Sequence, residues 1–300
     1  MKSKLLLIAL LFLKSSLAQN EDSLNIAIEN KPMREKVMAP FKSTRVIMSH
    51  SIQMLKPGVL DFLILHRFGN VNRGLYEFFG LDQATFRLAF DYGLTKDLTL
   101  GIGRSSHKKE LDGFIKYRII HQATGPNATP FSLVVVGGTT LNTLKFADPT
   151  RKNLFSSRLG YYAQVLAGRK FSEAFSLQLM PTVVHQNLVT TSKDPNDLYA
   201  AGIGGRIKLS KRISLNADYY YVINKNETLE NFHNPLSIGF DIETGGHIFQ
   251  LHFTNAVGMN ERVFLTETIN NWGDGDIQFG FNISRAFQIK KKRSPNNEEN

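Results

Sequence analysis

Cysteine is absent from this chain of 300 residues. That excludes disulfides, thiolate metal sites and attachment of a lipid through a cysteine. Tryptophan occurs once. Beyond the N-terminal leader no apolar run is long enough to cross a bilayer as a helix. A mean hydropathy of −0.19 is likewise too low for a bundle of transmembrane helices, though it suits strands that are apolar on one face only. The net charge of +10 comes without a basic helix or a nucleic-acid motif, so no nucleic-acid partner is expected. Three of the cations (Lys2, Lys4, Lys14) stand at the start and four (Lys290, Lys291, Lys292, Arg293) in a polar tail. The glycine patches Gly101-Ile102-Gly103 and Gly202-Ile203-Gly204-Gly205 lie inside alternating segments without a following helix, which excludes a phosphate loop. They suit a strand that bends or leaves room inside a narrow barrel.

What is present is alternation. Phe86, Leu88, Phe90 and Tyr92 fall on one face of an extended segment, and Arg87, Ala89 and Asp91 on the other. The same two-faced pattern recurs at Leu98–Gly103, Ile203–Ser210, Ile213–Tyr219, Leu236–Glu243, Phe249–Thr254 and Ile277–Phe287. Tight turns at Thr95–Asp97, Ser172–Ala174, Ser210–Arg212 and Gly245–Gly246 alternate with longer polar loops around Gly69–Asp82, Asn142–Asn153, Thr190–Asp197, Asn224–Asn234 and Gly258–Gly275. Outer-membrane barrels carry short periplasmic turns and long outer loops in this rhythm. Lys2 and Lys4, the apolar run Leu5–Leu13 and Ser16-Leu17-Ala18 read as a secretory signal peptide over residues 1–18, cut between Ala18 and Gln19. The expected organisation is a periplasmic lead-in over 19–40, an all-β antiparallel transmembrane barrel of about twelve strands (range ten to fourteen) over 41–287, and a polar basic tail over 288–300. A weak strand near Val37–Ile47 would give the upper count. Tyr161, Tyr162, Tyr219, Tyr220, Tyr221 and Trp272 are expected near the membrane–water boundary.

Several segments are familiar as a set. They are Phe41-Lys42-Ser43-Thr44-Arg45, His66-Arg67-Phe68-Gly69, Tyr76–Asp82, Gly101–Ser105, Asp112–Arg118, Met180–His185, Glu243–Leu251 and Phe279–Arg285. In them the chain resembles a Bacteroidota family of outer-membrane β-barrels catalogued as domain of unknown function 5777. The resemblance implies a barrel in the outer membrane and no particular activity.

The candidate site is the inward face. Arg67, Arg87, Lys116, Arg118, Arg158, Arg206 and Lys208 stand against Asp61, Asp91, Asp218, Asp241 and Glu243, with His252 also inward, leaving a small excess of cations. Such a lumen either draws small anions through a pore or pairs its charges and closes. Phe279, Phe281 and the terminal aromatic Phe287 are expected to carry the signal read by the outer-membrane assembly machinery. Lipid, that machinery and periplasmic proteins are the expected partners. No cofactor or metal is expected, since the histidines lack convergent spacing, and no enzymatic activity is expected. Two alternatives stand beside the non-enzymatic channel, solute binder or structural barrel. One is a lipid hydrolase using His185 and Asn187 with a lipid-facing serine; the other is a soluble periplasmic β-sandwich.

Overall fold

The computed structural model describes residues 33–146, 148–150, 152–189, 191–225 and 231–290. The signal peptide, the beginning of the lead-in and the tail cations Lys291, Lys292 and Arg293 lie outside the described residues.

Twelve antiparallel strands close into one barrel. They are β1 (Val59–Asn70), β2 (Ala84–Gly93), β3 (Leu98–Ser105), β4 (Leu111–Ile120), β5 (Ser132–Leu141), β6 (Leu159–Lys170), β7 (Phe175–Gln186), β8 (Asp197–Lys208), β9 (Ile213–Val222), β10 (Leu236–Thr244), β11 (His247–Thr254) and β12 (Gln278–Gln288). Each strand pairs with the next in sequence, and β12 pairs back on β1 with Ile283 opposite Ile64 and Phe287 opposite Leu60. Closure leaves no unpaired sheet edge, the condition that a bilayer imposes on a strand protein.

Alternation sets which way each side chain faces. Phe86, Leu88 and Phe90 are exposed on the outer wall, whereas Arg87, Ala89 and Asp91 are buried within. The outer wall carries aromatics at both ends. Phe68, Phe253 and Phe279 cluster near the long loops, with ring centroids 5.6 to 5.8 Å apart for the pairs with Phe279. Phe171 stacks on Phe175 at 5.6 Å near the short turns. Among the described residues no helix is long and apolar enough to cross a membrane, so strands do all the crossing.

Two expectations change here. Val37–Ile47 does not form a barrel strand. Glu35–Lys36 instead pairs with Ala123–Thr124 in the β4–β5 connection, and the chain from Phe41 to Met54 runs inside the barrel. The tyrosines also divide: Tyr162 and Tyr220 face inward and are buried, because neighbours in a strand must take opposite faces. Each lies over a glycine on the adjacent strand. Tyr220 is opposite Gly202 and Tyr162 opposite Gly138, and a Cβ at either glycine would come within 2.4 Å of the ring. The inward glycines make room for rings in a crowded lumen.

Candidate functional site: the occupied lumen

The lumen holds two inserted segments. The first enters from the short-turn end. Thr44–Ser51 forms a β-hairpin: Arg45 pairs with His50, Ser51 N–H donates to Thr44 O at 2.9 Å, and Val46 N–H donates to Ser49 O at 2.9 Å. Its turn leaves backbone donors that need partners once water is excluded. Asp218 on β9 supplies them: Oδ2 accepts from the N–H groups of Ile47 (3.3 Å), Met48 (3.0 Å) and Ser49 (3.0 Å) and from Ser49 Oγ (2.8 Å).

Side-chain amides of the wall hold the flanks. Gln178 donates to His50 O at 2.7 Å and accepts from Ile52 N–H at 2.9 Å. Gln250 donates to Val46 O at 2.8 Å and Asn282 to Ile47 O at 3.0 Å. Lys116 Nζ donates to Gln53 O at 2.7 Å, and Lys42 pairs with Glu243 where the stalk leaves the barrel. On the other side Phe41, Val46, Met48 and Ile52 pack in one core with Val134, Leu166 and Met180 of the wall.

The second segment enters from the long-loop end. The β11–β12 loop folds inward and carries a short helix, α1 (Glu261–Thr266), with every residue buried. Asn260 caps it by accepting from Val263 N–H at 3.0 Å. Arg262 binds Glu110 of the β3–β4 loop with Nε at 2.9 Å and Nη2 at 2.8 Å, and reaches Glu267 with Nη1 at 2.8 Å. Glu267 also accepts from His107 at 2.9 Å and Lys108 at 2.8 Å. Burial opposes ionisation of Glu267, but the His107 hydrogen bond and the charges of Arg262 and Lys108 win, holding its carboxyl below the usual range.

The two insertions meet at mid-lumen. Glu261 Oε1 lies 3.3 Å from Arg45 Nη1 and 3.7 Å from His50 Nε2. His50 and Arg45 also pack on Phe114, at 4.4 Å between ring centroids and 5.5 Å from guanidinium to ring. Burial, then the charges of Arg45, Lys116 and Arg87, push the His50 imidazole well below its ordinary range; these outweigh the nearby Glu261. Burial in turn pushes the Glu261 carboxyl up. The hairpin tip and α1 thus form a septum. Cavities of ≈ 490 Å³ and ≈ 280 Å³ flank the stalk on the short-turn side, and one of ≈ 390 Å³ lies on the long-loop side.

The sequence-derived residues distribute as follows. Asp61, Arg67, Arg87, Asp91, Lys116, Arg206, Asp218, Asp241 and His252 are buried inside the barrel. Arg118 is at the short-turn end, donating from Nε to Asp97 at 3.0 Å; Lys208 and Glu243 also sit at that rim. Arg158 is not in the lumen. It lies in the β5–β6 loop, just before β6 begins, and so belongs to the outer mouth. Phe279 and Phe281 are on the outer wall, where Phe281 stacks on His66 at 4.8 Å, and Phe287 is exposed beside Arg285.

Sequence reasoning missed Arg45, His50, Glu110, Asp112, Glu261 and Arg262. Asp112, which binds Arg87 at 2.5 Å, was legible as an inward position two residues before Phe114. Arg45 lies in the expected weak strand Val37–Ile47 and His50 just beyond it, and Glu110, Glu261 and Arg262 sit on loops. It also took the whole inner face to be polar. Leu133-Val134-Val135-Val136, apolar on both faces, was the available sign of a strand packed on both sides.

His185 faces outward. Its Nδ1 lies 2.6 Å from Asp197 and its Nε2 3.0 Å from Asn187, so both ring nitrogens are engaged. Among the described residues no three His, Asp or Glu side chains group as a metal site.

No curated protein matches the chain. Solved structures of low identity do. The outer membrane protein Omp33 of Acinetobacter baumannii is 8% identical, over 78% of this chain and 100% of its own, at a TM-score of 0.39. The COG4313 outer membrane channel of Pseudomonas putida F1 is 12% identical, over 78% and 97%, at 0.38. OmpF of Salmonella typhi, solved with daunomycin, is 8% identical, over 76% and 97%, at 0.39. Residues 41–287 match the family model described as a membrane bound beta barrel domain (DUF5777), so the chain belongs to that family and is a β-barrel of the outer membrane.

Proposed function

We propose that this barrel is a narrow, non-enzymatic solute channel that rests closed on its own N-terminal hairpin. The observation that carries the reading is the septum. The hairpin tip and α1 separate cavities that approach from both ends of a lumen whose β1–β4 and β9–β12 walls carry buried Asp61, Arg67, Arg87, Asp91, Lys116, Asp218, Asp241 and His252 among apolar Leu63, Leu65, Phe114 and Val222. Arg67 Nη2, Asp61 Oδ1, Asp91 Oδ1 and both nitrogens of His252 have no hydrogen-bond partner among the described residues. These are groups that a hydrated path would use.

Magnitudes favour a closed resting state. Phe41, Val46, Met48 and Ile52 are almost wholly buried, and each contributes about 1.5–3 kcal/mol. Together they hold the hairpin by roughly 6–12 kcal/mol before any hydrogen bond is counted, so thermal opening is rare. A structural barrel with no transport role is the second reading, favoured by the fully buried Arg87–Asp112 and Arg45–Glu261 pairs.

Planar-bilayer recording separates the two. The full chain is expected to be silent, and a chain starting at Leu55 to conduct. The double variant Val46→Asp/Met48→Asp keeps the chain length, drives charge into the apolar seat and should conduct too. Silence from both variants, each verified as a folded barrel by heat modifiability, would remove the channel reading.

A further inference from the structure

The outer mouth contains a cavity of ≈ 390 Å³ on the long-loop side of the septum. Its size falls within the range of small-molecule sites. Lys108, Glu110, Arg262 and Glu267 form one side, Arg158 another, and Leu159, Leu188 and Val189 an apolar wall. The charges do not cancel. Both acids are consumed internally: Glu110 by Arg262, and Glu267 by Arg262, Lys108 and His107. Arg158 is left over. Among the described residues it pairs with no carboxylate; its Nη1 donates to Asn142 O at 2.8 Å and to Leu144 O. Its guanidinium lies 3.7 Å from the centre of the Phe146 ring. Stacking on an aromatic and two backbone bonds through one nitrogen fix the plane of the fork, leaving Nε and Nη2 without an acceptor among the described residues. A fixed, stacked guanidinium is the arrangement that recognises a carboxylate edge.

We infer that this vestibule is a binding site for a small organic monocarboxylate, whose carboxylate is held by Arg158 and whose apolar part lies against Leu159, Leu188 and Val189. The excess of one cation over the paired acids selects a single negative charge, and the apolar wall selects a short hydrocarbon body over an inorganic anion. For its physiological purpose the site rests on the channel reading, since it would be the outer collection point for the solute. Arg262 borders the cavity, and the adjacent Glu261 meets the hairpin through Arg45. The site therefore abuts the septum directly through α1.

The test is saturation-transfer NMR on the full chain in detergent micelles, with butyrate as probe and butyramide and butylammonium as neutral and cationic controls. Butyrate is expected to bind saturably and at least about tenfold more tightly than either control, the worth of one charge-assisted hydrogen bond. Arg158→Gln should lose at least about tenfold in butyrate affinity while keeping the heat-modifiable mobility of a folded barrel. Butyramide binding as tightly as butyrate would overturn the inference. So would Arg158→Gln binding like the parent chain, or no saturable binding at all. The readout needs no conduction. A barrel that is silent in every recording but binds butyrate through Arg158 keeps this site and loses the channel. One that conducts without binding butyrate does the reverse.

Discussion

His50 is expected to couple the seated hairpin to pH. Inside the barrel its imidazole is held well below the ordinary value of 6.5, first by burial and then by Arg45, Lys116 and Arg87. A released hairpin restores an ordinary imidazole. A group whose pKa is lowered in one state takes up a proton only in the other, so through His50 acidification below about pH 6.5 favours release, up to about tenfold per pH unit, whereas the raised carboxyl of Glu261 acts in the opposite sense. The absence of native cysteine makes the measurement direct. With Met48→Cys as a buried reporter, thiol labelling relative to the unfolded chain should quicken from pH 7 to pH 5.5. His50→Gln should flatten that dependence; if it leaves the slope intact, another group is the titrating one. None of this was legible beforehand. The inward face of a strand can be read by counting twos, but His50, placed within the expected barrel domain, stands on no alternating segment and has no such clock. Arg158 shows the converse error: it stands directly before β6, one residue too early for strand alternation to place it.

Among the elements, the strands were the legible part and the insertions were not. Most strands announce themselves by a local period that needs no partner, β5 with its run Leu133–Val136 being the exception. Only assembly could show that Thr44–Ser51 folds back on itself, because its bonds run to residues as distant in sequence as Asp218 and Asn282. The loop helix α1 is likewise too short to be stable alone; its docking depends on Arg262. Arg262→Ala would leave the buried Glu110 without its cation, take one of three partners from Glu267 and weaken α1 docking by about 3 kcal/mol. Hydrogen exchange at Val263–Thr266 is expected to rise accordingly, and unchanged protection would mean that α1 is held by apolar packing alone. The same latch has a defined acid limit. The Glu267 carboxyl is held below its ordinary range, so its stabilising effect is present above that range and is lost only as pH falls through the lower, folded value.

For the whole molecule, closure is the decisive feature. β12 supplies it by pairing with both β11 and β1. Deleting Phe279–Phe287 would leave two strands with unpaired backbone at membrane depth, at several kcal/mol for each orphaned group. No heat-modifiable species should then be found in the outer-membrane fraction; recovery of a folded barrel from that deletion would count against β12 as the sealing strand. Phe287→Ala removes the aromatic alone and asks whether the assembly machinery reads it. The sequence by itself determined a closed antiparallel barrel of ten to fourteen strands, because period-two alternation, turn length and the lack of a spanning helix are local properties; closure on twelve was decided by the tertiary structure. The tertiary structure alone decided the state of the lumen. Whether inward charges line water or a plug depends on which distant segment occupies the interior, and Asp218 offers the same carboxylate to either until the hairpin arrives.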